Sequence, residues 1–258
     1  MNNPEPQSPI LELIGVNKAF GGVVTANQVS FSVCRGEILG LIGPNGAGKT
    51  TMLNLISGIY RVDSGRILYE GRDIADLPAH KRPHLGIART FQTPRFLQRS
   101  CIRDNLMLSL DLKKHEKFLP SFFSRSDPGF EGRVKALTDM AGLELDWDEE
   151  INSIPFGNRK LLEIVRALLT EPKLLLCDEP AAGLNQNELE RVVTLLRYAA
   201  HEMNVGVILI EHAMDLVMNT CHRIVVLNFG EVIATGGPEE VSSDKAVLEA
   251  YLGRDRHA

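Results

Sequence analysis

At 258 residues the chain is long enough to bury a substantial core, as one large α/β domain or two small ones. Its 44% hydrophobic and 24% charged residues are ordinary for a globular protein, and a formal net charge of -5 gives no electrostatic reason to expect a nucleic-acid partner. No apolar run approaches the roughly 18 residues a membrane-spanning helix needs. The four cysteines, Cys34, Cys101, Cys177 and Cys221, lack CxxC spacing, the pattern of reduced, packed thiols in a cytosolic protein.

In chain order, "MNNPEPQSP" is polar and proline-rich and has no basic start or apolar middle of a secretion signal. It reads as a disordered lead over residues 1–9, ahead of a single domain over 10–258 that stays inside the cell. Ile10 to Glu37 alternates in short β-prone pieces broken by Gly21-Gly22, which predicts antiparallel strands. "EILGLIG" is a nearly continuous apolar run ending in glycine, and "KTTMLNLISGI" has helical spacing, so strand, loop and helix follow one another. "GRILYEGRDI" predicts a hairpin turning at Glu70-Gly71. About 93–170 is mostly helical, an inserted helical subdomain with one irregular interruption at 113–132 that is mobile or faces a partner. "KLLLCDE", "VGVILIEH" and "RIVVLN" then read as buried strands separated by a helix, as a mainly parallel sheet requires. The fold class is α/β: a core with a mainly parallel sheet, an antiparallel β subdomain before it and a helical insert within it.

"GPNGAGKTT" fits G-x-x-x-x-G-K-[ST] and lies between a buried strand and a helix N-terminus. Gly43, Pro44, Asn45, Gly46, Ala47 and Gly48 let the backbone wrap a triphosphate. Lys49 reaches the β- and γ-phosphates, the Thr50 hydroxyl ligates Mg²⁺, and Thr51 completes the run. "LLLCDEP" ends an apolar strand in two acids at the carboxyl edge of the sheet, where open α/β folds hold ligands. Asp178 suits Mg²⁺ and Glu179 suits polarising the attacking water. His212 emerges at the same edge, with an imidazole that can bond a γ-phosphate or that water. Gln92 follows another short strand and can bond Mg²⁺ or water. Phe20 leaves two readings open, a base-stacking aromatic or a core residue.

In this order the residues resemble the ATP-binding cassette family over Leu11 to Gly253. The resemblance implies Phe20 in the adenine-stacking loop, Gly43 to Thr51 as Walker A, Gln92 as the Q-loop, Asp178 and Glu179 as Walker B, and His212 as the switch histidine. "KAFGGVVTANQVSF", "GIARTFQTPRFL", "DEPAAGLN", "IEHAMDLVM" and "EAYLG" are similar to the longer ATPase subunit of branched-chain amino-acid-type importers. It further implies ATP and Mg²⁺, a head-to-tail dimer with a second ATPase subunit, integral membrane permease subunits, and a periplasmic or extracellular solute-binding protein acting indirectly. The chain would sit peripherally on the cytoplasmic face of the plasma membrane.

The family signature, LSGGQ or L-S/A-Y-G-Q, aligns with Ile154, Pro155, Phe156, Gly157 and Asn158. Gly157 keeps a backbone N–H for the γ-phosphate of the opposing chain's ATP. Pro155 has neither hydroxyl nor amide hydrogen, and Asn158 is one methylene shorter than glutamine. Two outcomes stay open, near-normal turnover or an impaired composite site. An ATP-gated partner cassette with weak hydrolysis and a non-transport soluble cassette are the alternative functions.

Overall fold

A computed structural model describes residues 8–111 and 129–252. Residues 1–7 of the expected lead and 113–128 of the expected interruption lie outside the described residues, as do residues 253–258 of the expected single domain. Strands β1 (Leu11–Phe20) and β2 (Val23–Val33) pair antiparallel across the Gly21-Gly22 turn. β3 (Ile38–Ile42) runs into the phosphate loop and α1 (Lys49–Ile56). β4 (Ser64–Tyr69) and β5 (Arg72–Asp73) form the predicted hairpin, whose Glu70 and Gly71 both take positive φ (48° and 76°). β6 (Ile87–Arg89) is followed by α2 (Ile102–Asp111), α3 (Phe130–Met140) and α4 (Phe156–Leu169). β7 (Leu174–Asp178), α5 (Gln186–His201), β8 (Gly206–Ile210), α6 (Met214–Thr220) and β9 (Arg223–Asn228) come next. β10 (Glu231–Gly236), α7 (Pro238–Ser243) and α8 (Lys245–Leu252) complete the described chain.

Two boundaries differ from the expectation. Phe130 to Gly132 already belong to α3, because Gly132 meets nothing where a side chain would stand and helices tolerate such a glycine at modest cost. β10 hairpins back onto β9 through Phe229 and Gly230, an antiparallel strand that the apolar runs alone did not announce.

The strands form two sheets. One has the order β2-β1-β4-β5, and the other β10-β9-β3-β8-β7-β6, in which β9, β3, β8, β7 and β6 are parallel. Alternate residues of the central strands face opposite ways, as the two-residue period demands. Ile38, Ile42, Leu175, Cys177, Val207 and Leu209 pack toward the helices. Leu39, Leu41, Leu174, Leu176, Ile208 and Ile210 pack toward α1 and the antiparallel sheet. The result is three layers, and each such fully buried side chain contributes about 1.5–3 kcal/mol. No described helix is long and apolar enough to cross a membrane.

Arg82 is 1% exposed, and its guanidinium stitches the end of α1 to the neighbouring segments. Nη1 donates to Leu55 O at 2.7 Å and also to Ile56 O, Nη2 to Ile74 O at 2.8 Å, and Nε to Leu77 O at 3.0 Å. Burial pushes its pKa down to about 10, which leaves it charged at neutral pH. Arg82→Met is therefore expected to cost roughly 3 kcal/mol or more, since several buried carbonyls lose their donor together. The denaturant midpoint checks this; an unchanged midpoint would mean that water replaces the guanidinium.

Candidate nucleotide-binding and hydrolytic site

The loop after β3 is shaped by close backbone approach. Gly43 has φ 147°, and a Cβ there would lie 2.0 Å from the Leu227 carbonyl oxygen, so no side chain fits. The Gly230 N–H, from the β9–β10 turn, donates to Ala47 O at 3.0 Å and braces the loop from the next strand. Lys49 is 6% exposed, with Nζ donating to Gly43 O at 2.7 Å and Pro44 O at 3.0 Å. Its ammonium thus points back along the loop that the motif predicts will hold phosphate. Thr50 is exposed at the start of α1, whose first turn carries no acid to oppose an anion.

β7 ends at Asp178, and Glu179 leaves the sheet with φ 49°, a left-handed conformation unusual for a non-glycine residue. Its N–H still donates to Ile210 O at 2.9 Å, and Pro180 then offers no donor to continue the ladder. β8 stops two residues before His212. That shortfall brings the imidazole Nε2 within 3.0 Å of Glu179 Oε1. From the segment after β6, Gln92 Nε2 donates to Glu179 Oε2 at 2.8 Å. Three residues from separate strand ends therefore converge, Gln92 and His212 each holding one carboxylate oxygen of Glu179.

Asp178 lies one residue away and meets a partner that the sequence reading missed. Arg89 Nη2 bonds Asp178 Oδ2 at 3.0 Å, with both side chains 8% exposed. Arg89 Nη1 also donates to Asn54 Oδ1 at 2.7 Å and Ser57 Oγ at 2.9 Å, tying the acid to α1. Burial raises the Asp178 carboxyl above the ordinary carboxylate range, with Arg89 pulling the other way. Lys160, Glu163 and Glu211 were missed as well. Lys160 Nζ donates to Glu179 O at 2.9 Å; Glu163 accepts the N–H groups of Arg95 (3.2 Å) and Phe91 (3.4 Å) on either side of Gln92. Glu211 accepts from Ala181 N at 2.6 Å and His212 N at 3.2 Å. Burial raises the carboxyls of Glu163 and Glu211 and lowers the Lys160 ammonium. The available signal was a lysine and a glutamate three residues apart within the apolar stripe of α4, where a charge needs a buried partner.

Other expected residues stand outside this cluster. Phe20 is 39% exposed at the end of β1, which removes the core reading. Its ring meets Tyr60 edge-on at 4.9 Å between centroids, with Lys18 Nζ 5.1 Å from the Phe20 centroid. Phe156, Gly157 and Asn158 open α4, with Pro155 as N-cap at φ -53° and ψ 151° and no side-chain cap bond. Gly157 is packed so closely that a Cβ would lie 2.1 Å from Glu188 Oε1. Asn185 caps α5 in a reciprocal pair with Glu188, a local structural role for the asparagine of "AAGLN".

A family model for the ABC transporter matches residues 26–182, and one for the branched-chain amino acid ATP-binding cassette transporter matches 231–257. The high-affinity branched-chain amino acid transport ATP-binding protein BraF of Pseudomonas aeruginosa is 38% identical over 255 residues, covering 95% of this chain and 98% of its own. The probable branched-chain amino acid transport ATP-binding protein LivG of Archaeoglobus fulgidus is 38% identical over 251 residues, 95% of each chain. The crystal structure of an ATP-binding cassette of an ABC transporter in its ADP conformation superposes with a TM-score of 0.81 at 30% identity, over 96% of this chain and 100% of that one. With the phosphate loop, the two acids and the converging glutamine and histidine on one sheet edge, these matches place the chain in the ABC transporter family as an ATP-binding cassette, an ATPase coupled to transport.

Proposed function

We propose that this cassette binds MgATP on the phosphate loop and hydrolyses it to drive uptake of branched-chain amino acids or a related small polar solute. The observation that carries the hydrolytic reading is the grip of Gln92 and His212 on the two oxygens of Glu179, at 2.8 and 3.0 Å. A carboxylate so oriented is a general base for the attacking water. Lys49 and the loop amides hold the β- and γ-phosphates, Phe20 and Tyr60 offer a ring face for adenine, and His212 reaches the γ-phosphate or the water. The edge offers hard oxygen donors, the Thr50 hydroxyl, the Asp178 carboxylate and the Gln92 amide oxygen. No group of three or more His, Cys, Asp or Glu arranged to hold a metal ion occurs among the described residues. That sparse set suits Mg²⁺, which keeps water and phosphate in its shell. When bound, the ion supplies charge neutralisation at the phosphates.

The family and one surface support the partner reading. A cleft of about 390 Å³ lies beside the Gln92 segment, lined by Ile59, Pro83, Arg89, Phe91, Leu108 and Glu163 among others, and does not include the phosphate loop. Its mostly apolar wall with a few charges suits a cytoplasmic segment of a permease subunit, with a solute-binding protein on the far side of the membrane. On this reading the cassette sits peripherally on the cytoplasmic face, paired with a second cassette. The test is reconstitution of the full chain with its permease and binding protein in vesicles. MgATP-dependent uptake of leucine or isoleucine supports the reading, and ATPase activity that ignores those solutes, with no uptake, overturns the choice of cargo.

The start of α4 is read as facing the opposing cassette's nucleotide. Pro155 supplies no cap acceptor and the first turn holds no acid, so the N-terminal amides remain available to an anion. One charge-assisted hydrogen bond is worth about 1.5–3 kcal/mol, and at this exposed end a smaller share applies. The double change Pro155→Ser with Asn158→Gln is therefore expected to raise steady-state hydrolysis by about 3- to 10-fold. In a heterodimer whose two sites can fire independently, the gain should survive loss of Lys49 and vanish with loss of the partner's Walker A lysine. No gain in any background would make Pro155 a neutral variant.

A further inference from the structure

Helix α4 begins at Phe156, on the surface read above as meeting the opposing cassette's ATP, and one turn later carries Lys160, which is 3% exposed. The Lys160 ammonium lies 5.6 Å from the Phe156 ring centroid and 2.9 Å from the carbonyl oxygen of Glu179. Phe156 itself is 43% exposed, so whatever covers it acts on a ring in direct contact with Lys160. The Glu179 carbonyl is fixed by this bond and by the Ala182 N–H at 3.3 Å, and the residue is held at φ 49°. One further turn along α4, Glu163 binds the main-chain N–H groups of Phe91 and Arg95, and Gln92 between them binds the Glu179 carboxylate. A single helix thus grips Glu179 at both ends, the main chain through Lys160 and the side chain through Glu163 and Gln92.

Burying an ammonium is costly unless it is well paired, and a backbone carbonyl alone needs no charged donor. Burial weighs against the Lys160 ammonium, and the carboxylates of Glu211, Glu179 and Glu163 act in the opposite sense without cancelling it. We propose that Lys160 is a positioning residue that transmits engagement of the α4 N-terminus with the opposing cassette's nucleotide to the main chain of this chain's own Glu179, coupling the two ATP sites. The link rests on the composite-site reading above, and it assigns a role to a residue outside the phosphate, metal and base positions. Movement of α4 by a fraction of an ångström on closure changes the direction of the Glu179 carbonyl and, through the left-handed turn, the aim of its carboxylate.

The experiment uses the full chain assembled with its permease and second cassette, comparing wild type, Lys160→Met, Lys160→Arg and Glu179→Gln. Wild type is expected to show a Hill coefficient for ATP above about 1. Lys160→Met should lower kcat by about 10- to 100-fold, with KM for ATP and ATP-driven closure preserved and the Hill coefficient reduced to about 1. Lys160→Arg, which keeps a charged donor, should restore kcat to within about threefold. Should Lys160→Met fail to fold, Lys160→Gln is read by the same kcat and Hill coefficient. A wild-type Hill coefficient of about 1, or unchanged kcat and cooperativity in Lys160→Met, overturns the inference. So does a parallel loss of nucleotide binding and melting temperature in the Met and Arg variants, which marks a structural role. Glu179→Gln separates the levels: if it turns over at the wild-type rate, the base assignment fails and carries this inference with it, whereas a slow Glu179→Gln beside an unaffected Lys160→Met overturns the inference alone.

Discussion

Glu179→Gln is expected to bind ATP as wild type does and to hydrolyse it about 10²- to 10⁴-fold more slowly, the span that a positioned general base contributes. The substitution keeps the shape and the ability to bond Gln92 and His212, whose polar atoms lie 2.8 and 3.0 Å from the two carboxylate oxygens. It removes the negative charge and turns one acceptor oxygen into an NH2 donor, so the side chain can no longer take a proton from water. The left-handed backbone at φ 49° is set by main-chain and Lys160 bonds and should survive. Single-turnover hydrolysis, measured beside equilibrium binding of ATP, separates chemistry from affinity. Wild-type turnover would remove Glu179 from the base role and direct attention to His212.

Lys49→Ala is the second large effect, and it falls on binding. The ammonium is 6% exposed and lies against the loop carbonyls of Gly43 and Pro44, and on the proposed reading this preplaces it in the phosphate cradle. Charge-assisted bonds to phosphate are roughly twice as strong as neutral ones, and loss of about 3–4 kcal/mol corresponds to more than about 100-fold in affinity. Without nucleotide the variant should melt close to wild type, because only local loop bonds are lost. With millimolar MgATP the wild type should gain stability and the variant should not. An equal thermal shift in both would mean that the loop amides and the α1 N-terminus suffice to hold the triphosphate.

The core strands were legible because each is written in one contiguous apolar run: "ILGLI", "LLLCD" and "GVILI" are buried at every position. The motif between β3 and α1 was legible for a related reason, since the phosphate chemistry it predicts comes from consecutive backbone amides and needs no distant residue. The strand β10 and the early start of α3 were not, since a short alternating run and a lone glycine fit more than one local structure.

The sequence by itself determined the layered α/β architecture, the glycine-rich loop between β3 and α1, and the set of polar residues that end the parallel strands. Only the tertiary structure decided which of them touch. Gln92, Glu179 and His212 meet because β6, β7 and β8 lie side by side in parallel and end on the same edge. Arg89 reaches Asp178, 89 positions away, by the same adjacency. Lys160 and Glu163 sit within the apolar stripe of α4, a pattern that names no partner for either charge, and they are each 3% exposed because the helix packs that face on the segments carrying Glu179 and Gln92. Periodicity along a helix records which residues share a face. What that face meets depends on the topology of the whole chain.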